Sequence, residues 1–247
     1  MLLHCFPHAG GTGALFRPWA AAFGGDAQIN VMAYRSAGGN SPGPSTVRGI
    51  AELCLAQIID RSSARRPVAA GPQRVVFFGH SLGALVAFET LRMLRAQGRP
   101  GPDTLFVSGH VAPHLPSPGP QLHRMRGAQF WREIEVLGGT PAEVLAREDL
   151  CAIVENRLLA EFEAAETYRY LPGRPLDCDV VALTGDGDRR APVDGVSAWR
   201  LHTQGRFELG VLPGEHFFIR DQQDDVLQRI RSAAAIPVGA ALRTIAF

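Results

Sequence analysis

The chain has 247 residues, enough for one sizeable domain with a full hydrophobic core. Its 25 basic and 24 acidic residues give a net charge of +1. This near-neutral balance argues against a nucleic-acid-binding protein, which usually carries a clustered basic excess. Hydrophobic residues make up 46% of the chain and charged residues 20%, a balance that is typical of globular rather than disordered proteins.

The sequence disfavours membrane association and secretion. No apolar run reaches the roughly 18 to 20 residues that a membrane span requires. The N-terminal segment has neither the basic start nor the long apolar stretch of a secretory signal. Cys5, Cys54, Cys151 and Cys178 are too scattered for a CxxC site and too few for a disulfide framework. We therefore expect a cytoplasmic protein in a reducing setting.

The first half of the chain alternates short apolar runs with helical patterns. Strands are predicted at 2–6, 29–34, 74–78 and 104–109. Helices are predicted at 16–23, from a cap at Ser45 or Thr46 through Ile59, and at 84–98. The run at 74–78 is apolar throughout, which suits a parallel sheet buried on both faces.

The pattern changes between residues 113 and 172. A proline-rich stretch leads there into helical patterns, the longest at about 149–168, where Ile153 and Leu158 share one apolar face. Strands return at 179–185 and 207–213, and helices at 194–202 and 221–235. The alternation of strands and helices predicts an α/β fold with a mostly parallel sheet flanked by helices.

These patterns predict a single domain over 1–247. Its core comprises 1–112 and 173–235, and about 113–172 form a helical insertion that we interpret as a lid. The tail at 236–247 is apolar but unpatterned, and the sequence does not place it.

The strongest motif is the G-x-S-x-G sequence Gly79-His80-Ser81-Leu82-Gly83. It lies directly between an apolar strand and an apolar helix, the context of a nucleophile elbow. Such a turn exposes a strained serine above the sheet, beside a helix N-terminus that favours negative charge. A serine in an ordinary glycine turn is the alternative, which the flanking strand and helix disfavour.

A serine nucleophile needs a base and an acid. In hydrolases with this elbow the chain order is serine, acid, histidine, and His216 follows the last predicted strand. Asp186 and Asp188 both follow the strand at 179–185. Asp188 lies further into the loop and is favoured, whereas Asp186 is placed to cap a turn. His80 is expected to pack or hydrogen-bond away from Ser81.

Acyl transfer also needs donors for a developing oxyanion. The backbone N–H of Leu82, the residue after the serine, is one candidate. The other donor is expected in the glycine-rich loop at 6–11, for which a plain turn is the alternative. The sequence contains no P-loop lysine, no complete G-x-G-x-x-G and no metal-ligand spacing, so neither a cofactor nor a metal is expected.

Together these segments resemble the type II thioesterases, stand-alone α/β-hydrolases that accompany polyketide synthases and non-ribosomal peptide synthetases. The matching segments occur in family order: FPHAGG at 6–11 with FRPWA at 16–20, GHSLGA at 79–84, ETYRY at 166–170, LTGDGD at 183–188 with Trp199 downstream, and PGEHFFI at 213–219. GHSxG alone is widespread, but FPHAGG and GEHFF in one chain are much more specific.

The resemblance implies that Ser81 is the nucleophile, Asp188 the acid and His216 the base. It assigns the oxyanion hole to the N–H groups of Leu82 and Ala9 and implies a helical lid over the acyl pocket. The implied partners are acyl or peptidyl carrier domains, whose phosphopantetheine thioesters such enzymes hydrolyse when the acyl group is wrong or stalled. Nucleic acid and membrane are not expected partners, and a monomer is the simplest state.

Three departures from the family pattern affect this interpretation. The family has some 15 to 20 residues before the FPHAGG strand, so either an edge strand is missing or the start lies upstream. YRSAGGNSPGP at 34–44 lacks the usual PGR-type sequence, so the contacts at the pocket mouth are expected to differ from those of the family. LLAEF at 158–162 replaces the family's Leu-Arg-Ala-Asp-Phe. This difference is expected to affect the shape of the accepted substrate or the recognition of the carrier rather than the chemistry.

Two other functions are compatible with the same residues. One is a different serine hydrolase on this fold: an esterase, an acyltransferase or a thioesterase that releases one finished product. The other is a binding module that has lost turnover, which the presence of Ser81, Asp188 and His216 disfavours. The preference between carrier thioesters and soluble oxygen esters discriminates between the first alternative and a type II thioesterase.

Overall fold

The computed structural model describes residues 1–35, 43–63 and 73–235. In these ranges six strands form one sheet in the order β2-β1-β3-β4-β5-β6, and every neighbouring pair is parallel. The strands are β1 (Leu2–Phe6), β2 (Gln28–Val31), β3 (Val75–His80), β4 (Thr104–Ser108), β5 (Asp179–Gly185) and β6 (Phe207–Leu212). The carboxyl ends of parallel strands meet at one edge, so the loops that follow them lie together.

Helices connect the strands and also follow the last one. They are α1 (Arg17–Phe23), α2 (Val47–Ser63), α3 (Leu82–Ala96), α4 (Gly127–Leu137), α5 (Ala142–Leu145), α6 (Glu148–Glu166), α7 (Val193–Ser197), α8 (Phe218–Asp221) and α9 (Gln223–Ala235). Short 3₁₀ helices cover Leu122–Arg124 and Ala198–His202. The alternation predicted from the sequence is confirmed.

Several predicted boundaries are corrected by the structure. β3 runs to His80 rather than to residue 78, because the ladder with β4 continues as far as the pair His80 and Ser108. β2 ends at Val31 rather than at 34. The helix predicted at 194–202 is a short α-helix followed by a 3₁₀ helix, and the one predicted at 221–235 is interrupted after Asp221. Most of the 34–44 segment and the whole 236–247 tail lie outside the described residues.

The sheet is buried on both faces. Successive side chains of a strand point to opposite faces, so adjacent Phe77 and Phe78 of β3 enter different layers of the core. Phe77 belongs to the layer under α2, α3 and α6, whereas Phe78 packs with Trp19 of α1 in the layer that α9 completes. Because helices cover both faces of the sheet, successive residues of β3 are apolar rather than alternating with polar ones.

The connection between β4 and β5 contains α4, α5 and α6. Leu158 and Phe162 of α6 are buried, but Ile153, predicted on the same face, is 73% exposed. Ile153 lies five positions before Leu158, about 140° around a helix of 3.6 residues per turn, and therefore faces away from the core. This connection is the helical insertion of the sequence analysis, and its role as a lid stays a prediction.

All four cysteines are free thiols. Cys5, Cys54 and Cys151 are buried and Cys178 is partly buried, and burial raises the pKa of each thiol. Within the described ranges no helix is both long enough and apolar enough to cross a membrane.

Candidate active site

Ser81 occupies the sharp turn between β3 and α3. Its φ is +56°, and it is the one non-glycine residue with positive φ among those that the structure describes. Such a backbone conformation is uncommon for an L-residue and concentrates at functional sites. The next glycine of the motif is required by close approach, because a Cβ on Gly83 would lie 1.9 Å from the carbonyl oxygen of Phe6. The elbow therefore brings the first turn of α3 against the loop that follows β1.

His216 and Asp188 meet at the same edge of the sheet. Nδ1 of His216, after β6, lies 2.9 Å from Oδ2 of Asp188, after β5. An ionised carboxylate only accepts hydrogen bonds, so Nδ1 carries the proton and Nε2 of the neutral ring is left as an acceptor. Within the described ranges, neither Nε2 of His216 nor the Ser81 hydroxyl forms a hydrogen bond. Neither atom is therefore engaged by another group of the described residues.

The charge of Asp188 is held by its own loop. Oδ1 accepts hydrogen bonds from the backbone N–H groups of Arg190 at 2.9 Å and Ala191 at 3.0 Å. Burial acts to raise the pKa of the Asp188 carboxyl, but the hydrogen bond and charge of His216 and these N–H groups lower it more. Its pKa therefore lies below the ordinary value, and the carboxylate stays ionised beside the histidine.

The other carboxylates suggested by the sequence lie elsewhere. Asp186 is exposed and accepts a hydrogen bond from the N–H of Gly214 at 2.9 Å, so it ties two loops together without reaching His216. Glu215 is exposed. Of the two candidate acids, the structure brings only Asp188 to the histidine.

The two candidate oxyanion donors lie on segments that touch. Leu82 is the first residue of α3, and Ala9 lies in the loop after β1 that packs against Gly83. No intramolecular hydrogen bond occupies the Ala9 N–H among the described residues. The N-terminus of a helix is also electropositive, which suits a developing negative charge.

Three further histidines surround His216, an arrangement that sequence patterns did not predict. The His80 ring lies 5.2 Å from the His216 ring and its Nδ1 lies 3.0 Å from the Ser108 hydroxyl oxygen. Burial lowers the pKa of His8 to about 3 and that of His110 to about 4, and the positive charge of protonated His216 adds to the effect. These rings stay neutral at pH 7, so they do not compete with His216 as cations.

A cavity of about 400 Å³ lies beside the loop that contains Ala9. Its walls combine residues of this loop, from His8 to Leu15, with residues of the helical insertion and Arg220. The insertion therefore lines the space next to the candidate oxyanion donors. Among the described residues no cluster of side chains has the composition of a metal site.

A family model described as a thioesterase domain matches residues 2–234. The chain belongs to the thioesterase family. This thioesterase is 36% identical over 243 residues to thioesterase PikA5 of Streptomyces venezuelae, a match that covers 96% of the chain and 82% of PikA5.

Solved structures extend the comparison. The thioesterase superposes on RedJ, a thioesterase from the prodiginine biosynthetic pathway of Streptomyces coelicolor, with a TM-score of 0.84 and 30% identity, covering 94% of this chain and 90% of RedJ. It superposes on BorB, the type II thioesterase of the borrelidin biosynthetic cluster, with a TM-score of 0.80 and 30% identity, covering 94% and 92%. The α/β-hydrolase fold and the resemblance to type II thioesterases are thus confirmed, and the protein is a thioester hydrolase.

Proposed function

We propose that this thioesterase removes aberrant or stalled acyl groups from the phosphopantetheine thioester of acyl or peptidyl carrier domains. RedJ comes from the prodiginine biosynthetic pathway and BorB from the borrelidin biosynthetic cluster, and both cover more than nine tenths of this chain. The single observation that carries the chemistry is the buried contact between His216 and Asp188 at the edge where Ser81 occupies the elbow.

The proposed reaction begins when the Ser81 oxygen attacks the thioester carbonyl carbon and its proton passes to Nε2 of His216. Asp188 holds the ring in the required tautomer and stabilises the imidazolium that forms. The negative charge on the carbonyl oxygen is stabilised by the N–H groups of Leu82 and Ala9. The carbon–sulfur bond then breaks, and His216 returns the proton to the leaving thiolate.

The second half of the proposed reaction hydrolyses the acyl-enzyme. Water enters, His216 takes one of its protons, and the oxygen attacks the ester carbon. The Ser81 oxygen leaves with the proton from His216, which restores the enzyme and releases a carboxylic acid. The thioester is already activated, so these residues suffice for the chemistry.

The insertion would control access to this site. We propose one domain with a core of 1–112 and 173–235, in which the helical segment at about 113–172 is a lid over the acyl group. The 400 Å³ cavity supports this division, because helices of the insertion form one wall and the loop containing Ala9 forms the other.

The experiment compares an acylated carrier protein with the matching soluble oxygen ester, using wild type, Ser81→Ala and Ser232→Ala. Ser232 is exposed on α9, outside the candidate site, and provides a matched serine control. We expect the wild type and Ser232→Ala to release the acyl group from the carrier. We expect Ser81→Ala to lose this activity by at least about 10³-fold.

The outcomes separate the candidate functions. Cleavage of the carrier thioester that requires Ser81 supports the proposal. Cleavage of the oxygen ester with an untouched carrier would replace it with a general serine hydrolase. No turnover of either substrate by the folded wild type would favour a binding module.

A further inference from the structure

The loop that carries Ala9 is anchored on both sides of that residue. On one side, the Tyr34 hydroxyl donates to the carbonyl of Pro7 at 2.7 Å. On the other side, the N–H of Gly10 donates to Oε2 of Glu161 at 2.6 Å, and the carbonyl of Gly11 accepts from Nη2 of Arg157 at 2.6 Å. The Ala9 N–H lies between these anchors and has no intramolecular partner among the described residues.

The anchor on the glycine side comes from one face of α6. Arg157 and Glu161 are one helical turn apart and pair with each other, Nε to Oε1, at 2.9 Å. Leu158 packs on the same loop, because a Cβ on Gly10 would lie 2.4 Å from its Cδ2. A side chain at position 10 would force Leu158 to shift, and it would be strained by a φ of +75°.

Glu161 is an unusual residue to bury at this place. Its side chain is only 3% exposed, and a buried carboxylate is costly unless charge and hydrogen bonds compensate for it. Here each oxygen has one partner: the guanidinium of Arg157 and the N–H of Gly10. Glu163, two positions along the same helix, is exposed. The buried carboxylate therefore reflects the contact with the loop rather than a need of the helix.

We propose that Glu161 is a positioning residue for the oxyanion hole, a role that rests on the proposed function of Ala9 and Ser81. The Gly11 N–H closes a turn on the His8 carbonyl at 2.8 Å. Because glycine has more backbone freedom than any other residue, side-chain contacts at Gly10 and Gly11 restrict the orientation of this turn further. The carboxylate of Glu161 fixes the peptide unit that follows Ala9. A donor that is already oriented needs no reorganisation when the negative charge develops.

Removal of this carboxylate has a predictable effect on the loop. In Glu161→Ala the Gly10 N–H loses its acceptor in a partly buried setting and Arg157 loses its partner, so the loop is expected to turn toward other acceptors. The Ala9 N–H then moves relative to the reacting carbonyl. Glu161→Gln keeps one acceptor for Gly10 but loses the charge that pairs with Arg157, so its effect is expected to be intermediate.

The test measures kcat and KM on a soluble acyl-N-acetylcysteamine thioester for wild type, Glu161→Ala, Glu161→Gln and the matched control Glu163→Gln. Rates are normalised to the fraction of Ser81 that a fluorophosphonate labels at saturation. We expect Glu161→Ala to lower kcat by about 10- to 100-fold with KM within about two-fold, because the donor acts mainly in the transition state. Glu161→Gln should lose more than about two-fold but less than about ten-fold, and Glu163→Gln should match wild type.

A second measurement tests how well the oxyanion hole stabilises negative charge, and it does not require turnover. The Ser81 oxygen attacks the carbonyl carbon of a trifluoromethyl ketone analogue of the substrate. The carbonyl π electrons move onto the carbonyl oxygen, which becomes the oxyanion, and the serine proton moves to His216. Its inhibition constant in Glu161→Ala should rise by about the same factor as kcat/KM falls. If Glu161→Ala fails to fold, the kinetic constants and the inhibition constant are measured on Glu161→Gln instead.

Three results would overturn the positioning role. The first is a normalised kcat within about two-fold of wild type in both Glu161 variants. The second is a loss of kcat in Glu163→Gln equal to that in Glu161→Ala. The third is an inhibition constant of the trifluoromethyl ketone that is unchanged in Glu161→Ala. A p-nitrophenyl ester separates this proposal from the function it rests on. If the wild type cleaves that ester but no carrier thioester, the proposed function fails, while the same variants measured on the ester still decide the role of Glu161.

Discussion

The two loops that flank Ser81 are held in different ways. In the loop after β5, Asp188 receives hydrogen bonds from N–H groups two and three residues further along the chain. In the loop after β1, the groups beside Ala9 are held by Glu161 and Arg157, which are 151 and 146 residues away. The first loop is stabilised mainly by its own backbone. The second has its own turn, closed by the Gly11 N–H on the His8 carbonyl at 2.8 Å, but it is held further by Tyr34 and by two side chains of the helical insertion.

This difference indicates how the site responds to change elsewhere. A turn that satisfies its own polar groups keeps its geometry when a distant contact is lost. A glycine-rich loop that is held by side chains of α6 transmits any shift of that helix to the candidate oxyanion donor. Changes in the insertion should therefore affect the oxyanion side of the site more than the acid side.

The largest expected effect comes from the acid itself. Asp188→Asn should lower kcat by about 10⁴-fold, because an amide at this position favours the wrong tautomer of the histidine. Asp186→Asn should cost far less, since Asp186 only bridges to Gly214. Steady-state kinetics on one thioester with both variants checks this. Equal losses, or a larger loss in Asp186→Asn, would show that the acid is wrongly assigned.

Mild acid should destabilise the folded protein through its buried histidines. The pKa of His8 is lowered to about 3 in the folded state, chiefly by burial and then by Arg220, whereas an unfolded histidine has a pKa of about 6.5. Below about pH 6.5 the unfolded chain binds the extra proton, so the free energy of unfolding falls by up to about 1.4 kcal/mol per pH unit for this group. The lowered pKa of Asp188 affects the free energy of unfolding only below about pH 3.9, the pKa of an ordinary aspartate.

Urea unfolding at about pH 7 and about pH 5 measures this dependence. His110 contributes with the same sign, because its folded pKa is lowered to about 4. His8→Gln removes one of the groups, so its stability should depend less steeply on pH than that of the wild type. An unchanged slope in His8→Gln would contradict a neutral, buried His8.

The smallest effect is expected where the acid loop touches α6. Nη2 of Arg190 lies 3.2 Å from Oε1 of Glu166, a contact that Arg190→Met removes. The backbone N–H of Arg190 still holds Asp188, and Glu166 keeps its hydrogen bonds from Leu122 and His123. We therefore expect kcat to fall by no more than about three-fold. A loss as large as that of Glu161→Ala would remove the distinction between the two loops.

The same distinction separates what the sequence could predict from what it could not. β1, β3 and β5 and the elbow at Ser81 follow from local patterns, and the resemblance singled out Asp188 and His216, which do lie together. Glu161, Arg157 and His8 act through contacts across the fold. Glu161 lies in the LLAEF segment and His8 in FPHAGG, but the sequence does not show that Glu161 reaches Gly10 or that burial keeps His8 neutral. Ile153 was misplaced for a different reason: it lies about 140° around the helix from Leu158, so the two side chains do not share the buried face of α6.

The state of the four cysteines has a practical consequence for measuring this enzyme. A thioesterase liberates one thiol per turnover, and thiol-reactive dyes count such thiols by reacting with thiolates. Burial raises the pKa of Cys5, Cys54, Cys151 and Cys178, so the folded chain presents few thiolates of its own. Release of the carrier thiol can therefore be followed continuously against a low protein background, and that background should rise only when the chain unfolds.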